Sequence, residues 1–284
     1  MRSETVQEKI TENGKEISIS FSGDMVRALL DGRKTQMRIP ITRVKGIYGG
    51  FVTEFQISDT PGYDFAMRDR RRTWNELRKD EILQRCPLGQ AGDRLWGRET
   101  FCLEHQVSEA GNPPPFDDGR PVKYLYEGEL GQGELSNDWK ALADSCWLQP
   151  HYKATDPTPE LCYDDRPSDE PTVKWKPSIL MPRWASRILL YITEIRIQRV
   201  QEVTEEDARA EGLSSFSKDG TLFKFGIPDK DGFPGTDDHG WAWVEWEKSP
   251  VNAFRKIWDS LYSKKGFGWD RNPWVWVISF RKIR

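Results

Sequence analysis

The sequence lacks the features that mark membrane insertion, export and structural disulfides. It contains no apolar run of the roughly 18 residues that a membrane-spanning helix needs. Its first residues are polar and lack the apolar core of a signal peptide, which predicts a cytoplasmic protein without a membrane partner. The cysteines form no C-x-x-C pair and are expected to be free thiols: Cys86, Cys102, Cys146 and Cys162.

Excess positive charge is also absent, since the formal net charge is −3. A protein that coats duplex nucleic acid without specificity is usually basic, because neutralising phosphates dominates that affinity. Any nucleic-acid contact is therefore expected in a local basic pocket, or the ligand is a nucleotide or a single base. Histidine is scarce, and the Asp237–His239 cluster is typical of a solvated loop. We predict no metal site and no cofactor.

Tryptophan is abundant, with 13 residues, and some occur in alternating pairs. Alternation places both rings of a pair on one face of a sheet, which applies to Trp241 with Trp243 and to Trp274 with Trp276. The second pair is expected to fill the core of a small barrel. Exposed rings that stack on bases are the alternative.

The segment GRKTQMRIP, Gly32 to Pro40, follows a short amphipathic helix that Ser22 is expected to cap. Gly32 stands where a helix ends in the left-handed region. Arg33, Lys34 and Arg38 follow at once. One interpretation is that these cations only complement the negative end of the helix dipole. The other is a ligand site, which depends on a resemblance described below.

The rest of the chain predicts an α+β fold with strands within 17–42, 93–100, 188–200 and 274–281. The apolar face of 188–200 shifts by one residue midway, which indicates a bulge. Residues 1–16 are interpreted as a flexible tail, and 17–284 as a single domain with insertions near 43–91, 103–172 and 214–249. A further helix is predicted after Ser249–Pro250. The sequence leaves the oligomeric state open.

Thr204 is predicted to cap another short helix, which ends before Gly212. Glu211 lies in its last turn, where a carboxylate faces the negative end of the helix dipole. The position therefore favours a compensating cation, and Lys34 is the expected partner.

The densest basic cluster is Arg68 with Arg70, Arg71 and Arg72. The spacing of Trp74, Leu77 and Ile82 predicts a helix here, with the arginines at its solvated start. A surface that faces phosphate is the alternative interpretation.

Four stretches resemble one family when they are read together. Gly32, Lys34 and Arg38 match the G-x-K…R signature of the ASCH family of PUA-like domains. GDRLWGRETF (92–101), MPRWASRI (181–188) and NPWVWVISFRK (272–282) are similar to the larger ASCH-like proteins of phages and prophages. The resemblance covers about 250 residues in order. It implies a phage or prophage protein in the cytoplasm of a bacterial host.

The resemblance implies a PUA-like mixed β-barrel with flanking helices and recognition of RNA or of a modified base. In this superfamily, a small bacterial enzyme hydrolyses N4-acetylcytidine with a lysine, a threonine three residues later and a distant glutamate. Carried over by position, the lysine is Lys34 and the glutamate is Glu211. The threonine position holds Met37, and a thioether can neither attack an acyl carbonyl nor donate a hydrogen bond to it. Thr35 is not expected to replace it, because neighbouring strand residues point to opposite faces.

We therefore expect nucleic-acid or modified-nucleobase binding in a cleft that contains Lys34 and Glu211. The alternative is an amidohydrolase for N4-acetylcytidine or a related base, in which Glu211 activates water and Lys34 stabilises the oxyanion. The resemblance adds Arg98 and Glu99, for which a cross-strand ion pair is the other interpretation. In MPRWASR, a cation beside a ring, such as Arg183 beside Trp184, could also hold a phosphate and a base together. An interface between this loop and the barrel is the alternative. The full predicted ligand set is Gly32, Arg33, Lys34, Thr35, Arg38, Arg98, Glu99, Arg183, Trp184 and Glu211.

Overall fold

The computed structural model describes residues 14–107, 146–156, 175–236 and 240–283. The predicted Asp237–His239 loop and nearly all of the predicted tail lie outside these residues. The helices are α1 (Gly23–Leu30), α2 (Lys79–Gln84), α3 (Glu205–Ala210) and α4 (Pro250–Tyr262). The strands are β1 (Glu16–Ser20), β2 (Gln36–Pro40), β3 (Glu54–Ile57), β4 (Phe65–Arg68), β5 (Trp74–Leu77), β6 (Arg94–Arg98), β7 (Phe101–Val107), β8 (Cys146–Tyr152), β9 (Leu189–Arg199), β10 (Ser214–Phe216), β11 (Lys224–Gly226) and β12 (Trp274–Lys282).

The fold is α+β, with several sheets and few helices among the described residues. The chain divides into two compact units, one with residues up to Gly97 and from Arg187 onward, the other with Arg98–Ser186. The expectation of a single domain with insertions stays a prediction. Within the described ranges, no helix has the length and apolar character needed to cross a bilayer.

The first unit is built on a five-stranded sheet in the order β1-β6-β9-β12-β2. All four predicted strand regions contribute to this sheet, as expected. The sheet is open, with β1 and β2 at its edges, and the described residues contain no closed barrel. Strands β9 and β12 pair antiparallel along their whole length, and the register shifts between Ser279 and Phe280. Thr193 is left without a partner there, so the predicted bulge in β9 is confirmed.

Helices α3 and α4 pack on one face of this sheet. Val275 and Val277 of β12 join Ala208 of α3 and Phe254 and Trp258 of α4 in one buried cluster. Trp276, on the opposite face, is 1% exposed, and Trp274 packs in edge-to-face geometry on Phe65. Trp276 therefore has the core position expected of it, whereas Trp274 is only half-buried, and their place in a barrel stays a prediction.

Two sequence predictions of local structure are wrong. Residues 65–77 form the β4–β5 hairpin rather than a helix, and the helix α2 begins only after it. The turn explains the difference, because Asp69 Oδ1 accepts from the backbone N–H groups of Arg71 and Thr73, at 2.8 and 3.0 Å. Trp241 and Trp243 do not alternate along a strand either, since Trp243 begins a short 3₁₀ helix, Trp243–Glu245.

The second unit contains the antiparallel β7–β8 ribbon. Its buried cluster consists of Phe101, Tyr152, Met181 and Ala185, and Trp184 packs against it. The Tyr152 hydroxyl donates to the Ala185 carbonyl at 2.8 Å, which fixes the 3₁₀ helix Arg183–Ala185 to the ribbon.

Candidate functional site

The ends of two helices bring the main site residues together. Ser22 caps α1, which ends at Asp31, and Gly32 follows with a φ of +73°. The chain then turns so that the Lys34 N–H donates to the Ala28 carbonyl and the Thr35 N–H donates to the Ala210 carbonyl, both at 2.9 Å. These bonds place the end of α3 beside the start of β2.

Gly212 makes this close approach possible. Its φ is +106°, and a Cβ at this position would come within 2.8 Å of the Ala28 Cβ. Only glycine adopts this conformation without strain and leaves room for α1. Thr204 caps α3 by accepting from the Asp207 N–H at 3.1 Å, and Glu211 is the last residue before the glycine. Glu211 is thus held against Lys34.

The predicted contact between Lys34 and Glu211 is present. Lys34 Nζ lies 3.0 Å from Glu211 Oε2 and also donates to the Glu211 backbone carbonyl at 2.9 Å. The two side chains are only 2% and 6% exposed. The two residues lie 177 positions apart, so this is a contact of tertiary structure rather than of local sequence.

Arg38 completes a buried ion cluster. Its guanidinium lies 3.0 Å from Glu211 Oε1 and 2.7 Å from Asp207 Oδ2, and its side chain is 0% exposed. It also donates to Gln36 Oε1 at 2.6 Å, and Gln36 donates to the Ser279 hydroxyl at 3.2 Å. Two cations and two carboxylates thus neutralise one another, as buried charges require.

Asp207 has an electrostatic environment that favours its charged form. Burial alone would raise its pKa, but the guanidiniums of Arg38 and Arg196 hold the pKa of Asp207 below its usual range. Asp207 was not among the site residues predicted from the sequence. Its position four residues before Glu211 was the signal that both carboxylates share one helix face.

A cavity of about 290 Å³ opens beside the cluster. Its lining includes the charged residues Lys34, Arg38 and Glu211, and Met37 of β2 with Phe254 and Tyr262 of α4. Other charged residues in the lining are Asp24, Arg27, Arg33 and Lys265. Burial, and to a smaller degree the negative charge of Glu211, raise the pKa of Tyr262 to about 12. The hydroxyl is therefore neutral near neutral pH. Sequence reasoning missed Tyr262, because nothing local links α4 to Glu211.

One donor of this cluster, the buried Arg38 Nε, makes no hydrogen bond to the described residues. Arg196 Nε and Trp276 Nε1 are in the same state, and the Arg38 side chain is 0% exposed, so this donor does not by itself indicate a ligand in the cavity. The guanidinium carbon of Arg38 lies 5.7 Å from the centroid of the Phe254 ring.

The other predicted ligand residues differ in their surroundings. Arg33 lines the cavity, pairs with Asp31 at 2.8 Å and donates to the Gly212 carbonyl. Gly32 shapes the turn. Thr35 is exposed and is not among the described residues that line the cavity, whereas Met37 is, as the sequence led us to expect.

Four predicted residues belong to the second unit. Arg98 ends β6 at the boundary, Glu99 is 2% exposed, and Arg183 and Trp184 lie in the 3₁₀ helix on the ribbon. Their part in ligand binding stays a prediction. The described part of the chain contains no group of three or more histidine, cysteine, aspartate or glutamate side chains placed to hold a metal ion.

Comparison with known proteins yields no relative. No family model, no curated protein and no solved structure matches this chain.

Proposed function

We propose that the protein binds a nucleobase, either of a modified nucleoside or nucleotide or of a base in single-stranded nucleic acid, in the cavity beside Lys34 and Glu211. The observation that carries this proposal is the cavity lining, which places the Lys34–Glu211 ion pair beside the ring of Tyr262. The PUA-like character of the fold, which the resemblance implies, belongs to the same proposal.

The size and lining of the cavity support a ligand of this class. Its volume of about 290 Å³ lies near the lower end of small-molecule pockets, which span about 300 to 1,000 Å³. That suits a single base better than a whole nucleotide. Tyr262 offers ring surface for stacking, while Lys34 and Glu211 offer a donor and an acceptor for base edges.

The amidohydrolase alternative has one observation in its favour, the ammonium–carboxylate pair at the cavity wall. Two others favour binding. Met37 lines the cavity where the family's acyl chemistry requires a hydroxyl. Both Glu211 oxygens already lie 3.0 Å from cations, so an attacking water would have to compete with Lys34 and Arg38 for them.

A blocking variant tests the proposal without disturbing the ion cluster. Ser260 is an exposed residue of α4 at the cavity lining, and Asn252 is an exposed residue of the same helix outside that lining. A panel of natural and modified nucleosides is first screened by calorimetry against the parent chain. Binding by the parent should be lost in Ser260→Trp and retained in Asn252→Trp. If the parent binds no nucleoside or oligonucleotide base, or if Ser260→Trp binds as the parent does, the proposal fails.

A further inference from the structure

The first unit has a basic surface, separate from the cavity, on the loop 43–51 and the turn between β4 and β5. Arg43 and Phe51 face each other across an isolated antiparallel bridge, with Tyr48 at the tip of this loop. The Thr53 N–H donates to the Arg68 carbonyl at 2.8 Å, which joins the loop to β4. The arginines predicted to start a helix therefore lie beside aromatic side chains of another segment.

Three guanidiniums lie over two rings. The guanidinium carbons of Arg43 and Arg70 lie 4.4 and 3.7 Å from the centroid of Phe51, and that of Arg71 lies 3.4 Å from the centroid of Tyr48. We name these five residues the arginine–aromatic surface. Stacking on rings orders arginine side chains in advance of binding, so less entropy is lost when they contact a ligand.

No carboxylate of the described residues pairs with these charges. Across the described ranges, Arg43, Arg70 and Arg71 form no ion pair and donate no side-chain hydrogen bond. Arg68 behaves differently, because it pairs with Glu54 at 3.0 Å. All three arginines are exposed, so water solvates them and their charges are accessible to an anionic ligand.

The turn that contains Arg70 and Arg71 includes a residue in an unfavourable backbone conformation. Arg72 has a φ of +64°, in the left-handed region that non-glycine residues seldom adopt. Asp69, only 4% exposed, holds the turn through its side-chain bonds to the backbone. Strained backbone that the surroundings enforce is a reason to look for function.

We propose that the arginine–aromatic surface binds the phosphodiester backbone of single-stranded nucleic acid. Planar guanidiniums match phosphate oxygens in a bidentate manner, and arginine rather than lysine dominates this surface. Tyr48 and the neighbouring Trp74 are 50% and 43% exposed, so both offer ring faces on which unpaired bases can stack. A duplex would keep its bases out of reach of such rings. This site is separate from the cavity and does not depend on the function proposed for it.

The test measures binding of a fluorescently labelled mixed-sequence single-stranded oligonucleotide at several salt concentrations. In Arg70→Ala/Arg71→Ala, Kd should rise about tenfold or more. The slope of log K against log salt should become shallower by about 1.4, because each phosphate contact on a single strand contributes about 0.7. Tyr48→Ala should weaken binding about fivefold or more without changing that slope.

The matched control is Arg255→Ala/Arg271→Ala, which removes the same charge at two exposed arginines on α4 and on the short helix Trp269–Arg271. It should bind as the parent does. Nucleoside binding in the cavity should be unchanged in Arg70→Ala/Arg71→Ala, so the two proposals can fail separately. Equal effects of the two double variants would overturn this one. So would binding to anionic phosphatidylserine vesicles, but not to the oligonucleotide, that depends on Arg70 and Arg71.

Discussion

The substitution Glu211→Gln removes the shared anion of the buried cluster and should destabilise the first unit strongly. Glu211 forms ion pairs with Lys34 and Arg38, each with an N···O distance of 3.0 Å, and the Lys34 side chain is 2% exposed. The neutral amide can accept from one cation but presents donors to the other. Breaking a buried ion pair from one side costs about 3 to 5 kcal/mol. We expect about 3 kcal/mol, because Arg38 keeps Asp207 and Lys34 keeps the Glu211 carbonyl.

Urea unfolding followed by tryptophan fluorescence measures this loss, and the midpoint should fall by about 1 to 2 M. Glu205→Gln provides the control on the same helix, because Glu205 meets Arg209 at 3.8 Å with both side chains more than half exposed. Exposed pairs contribute about 0 to 1 kcal/mol. Equal midpoints for the two variants would refute the buried cluster, and with it the account of the cavity wall.

Two further predictions concern chemistry and pH. The parent should release no cytidine from N4-acetylcytidine, because Met37 supplies no nucleophile, and chromatography of the products measures this. Slow release of cytidine that becomes faster in Met37→Thr and disappears in Lys34→Ala would instead establish the hydrolase. The pKa of Tyr262, raised to about 12, should make the folded state lose stability as pH rises above about 10, where the unfolded chain releases a proton that the folded chain retains. Tyr262→Phe should lose this part of the alkaline dependence in urea unfolding, and an identical dependence in both proteins would contradict the assigned environment.

Local rules predicted much of the framework. Ser22 and Thr204 cap the helices that the sequence assigned to them, and the change of apolar phase in β9 marks a bulge. The Lys34–Glu211 contact was also within reach, because a carboxylate at the end of a helix needs a cation. Each inference depended on a short stretch in which one physical effect dominates.

Tertiary contacts decided what the sequence left open. The helical spacing of Trp74 and Leu77 was overridden by the turn that Asp69 holds, which converts the segment into a hairpin. Arg38 was a candidate ligand, but its pairing with Asp207 joins residues 169 positions apart. No local sequence pattern predicts a contact between residues so far apart in the chain. Tyr262 lies still further along the chain, on a helix whose packing was unknown.

A crystal structure of the protein with a nucleoside that binds it would test the central claim most directly. The base should lie inside the cavity, against the ring of Tyr262. The base edge should also meet the Lys34–Glu211 pair. A nucleoside that binds elsewhere on the chain, with the cavity occupied only by water, would contradict the account.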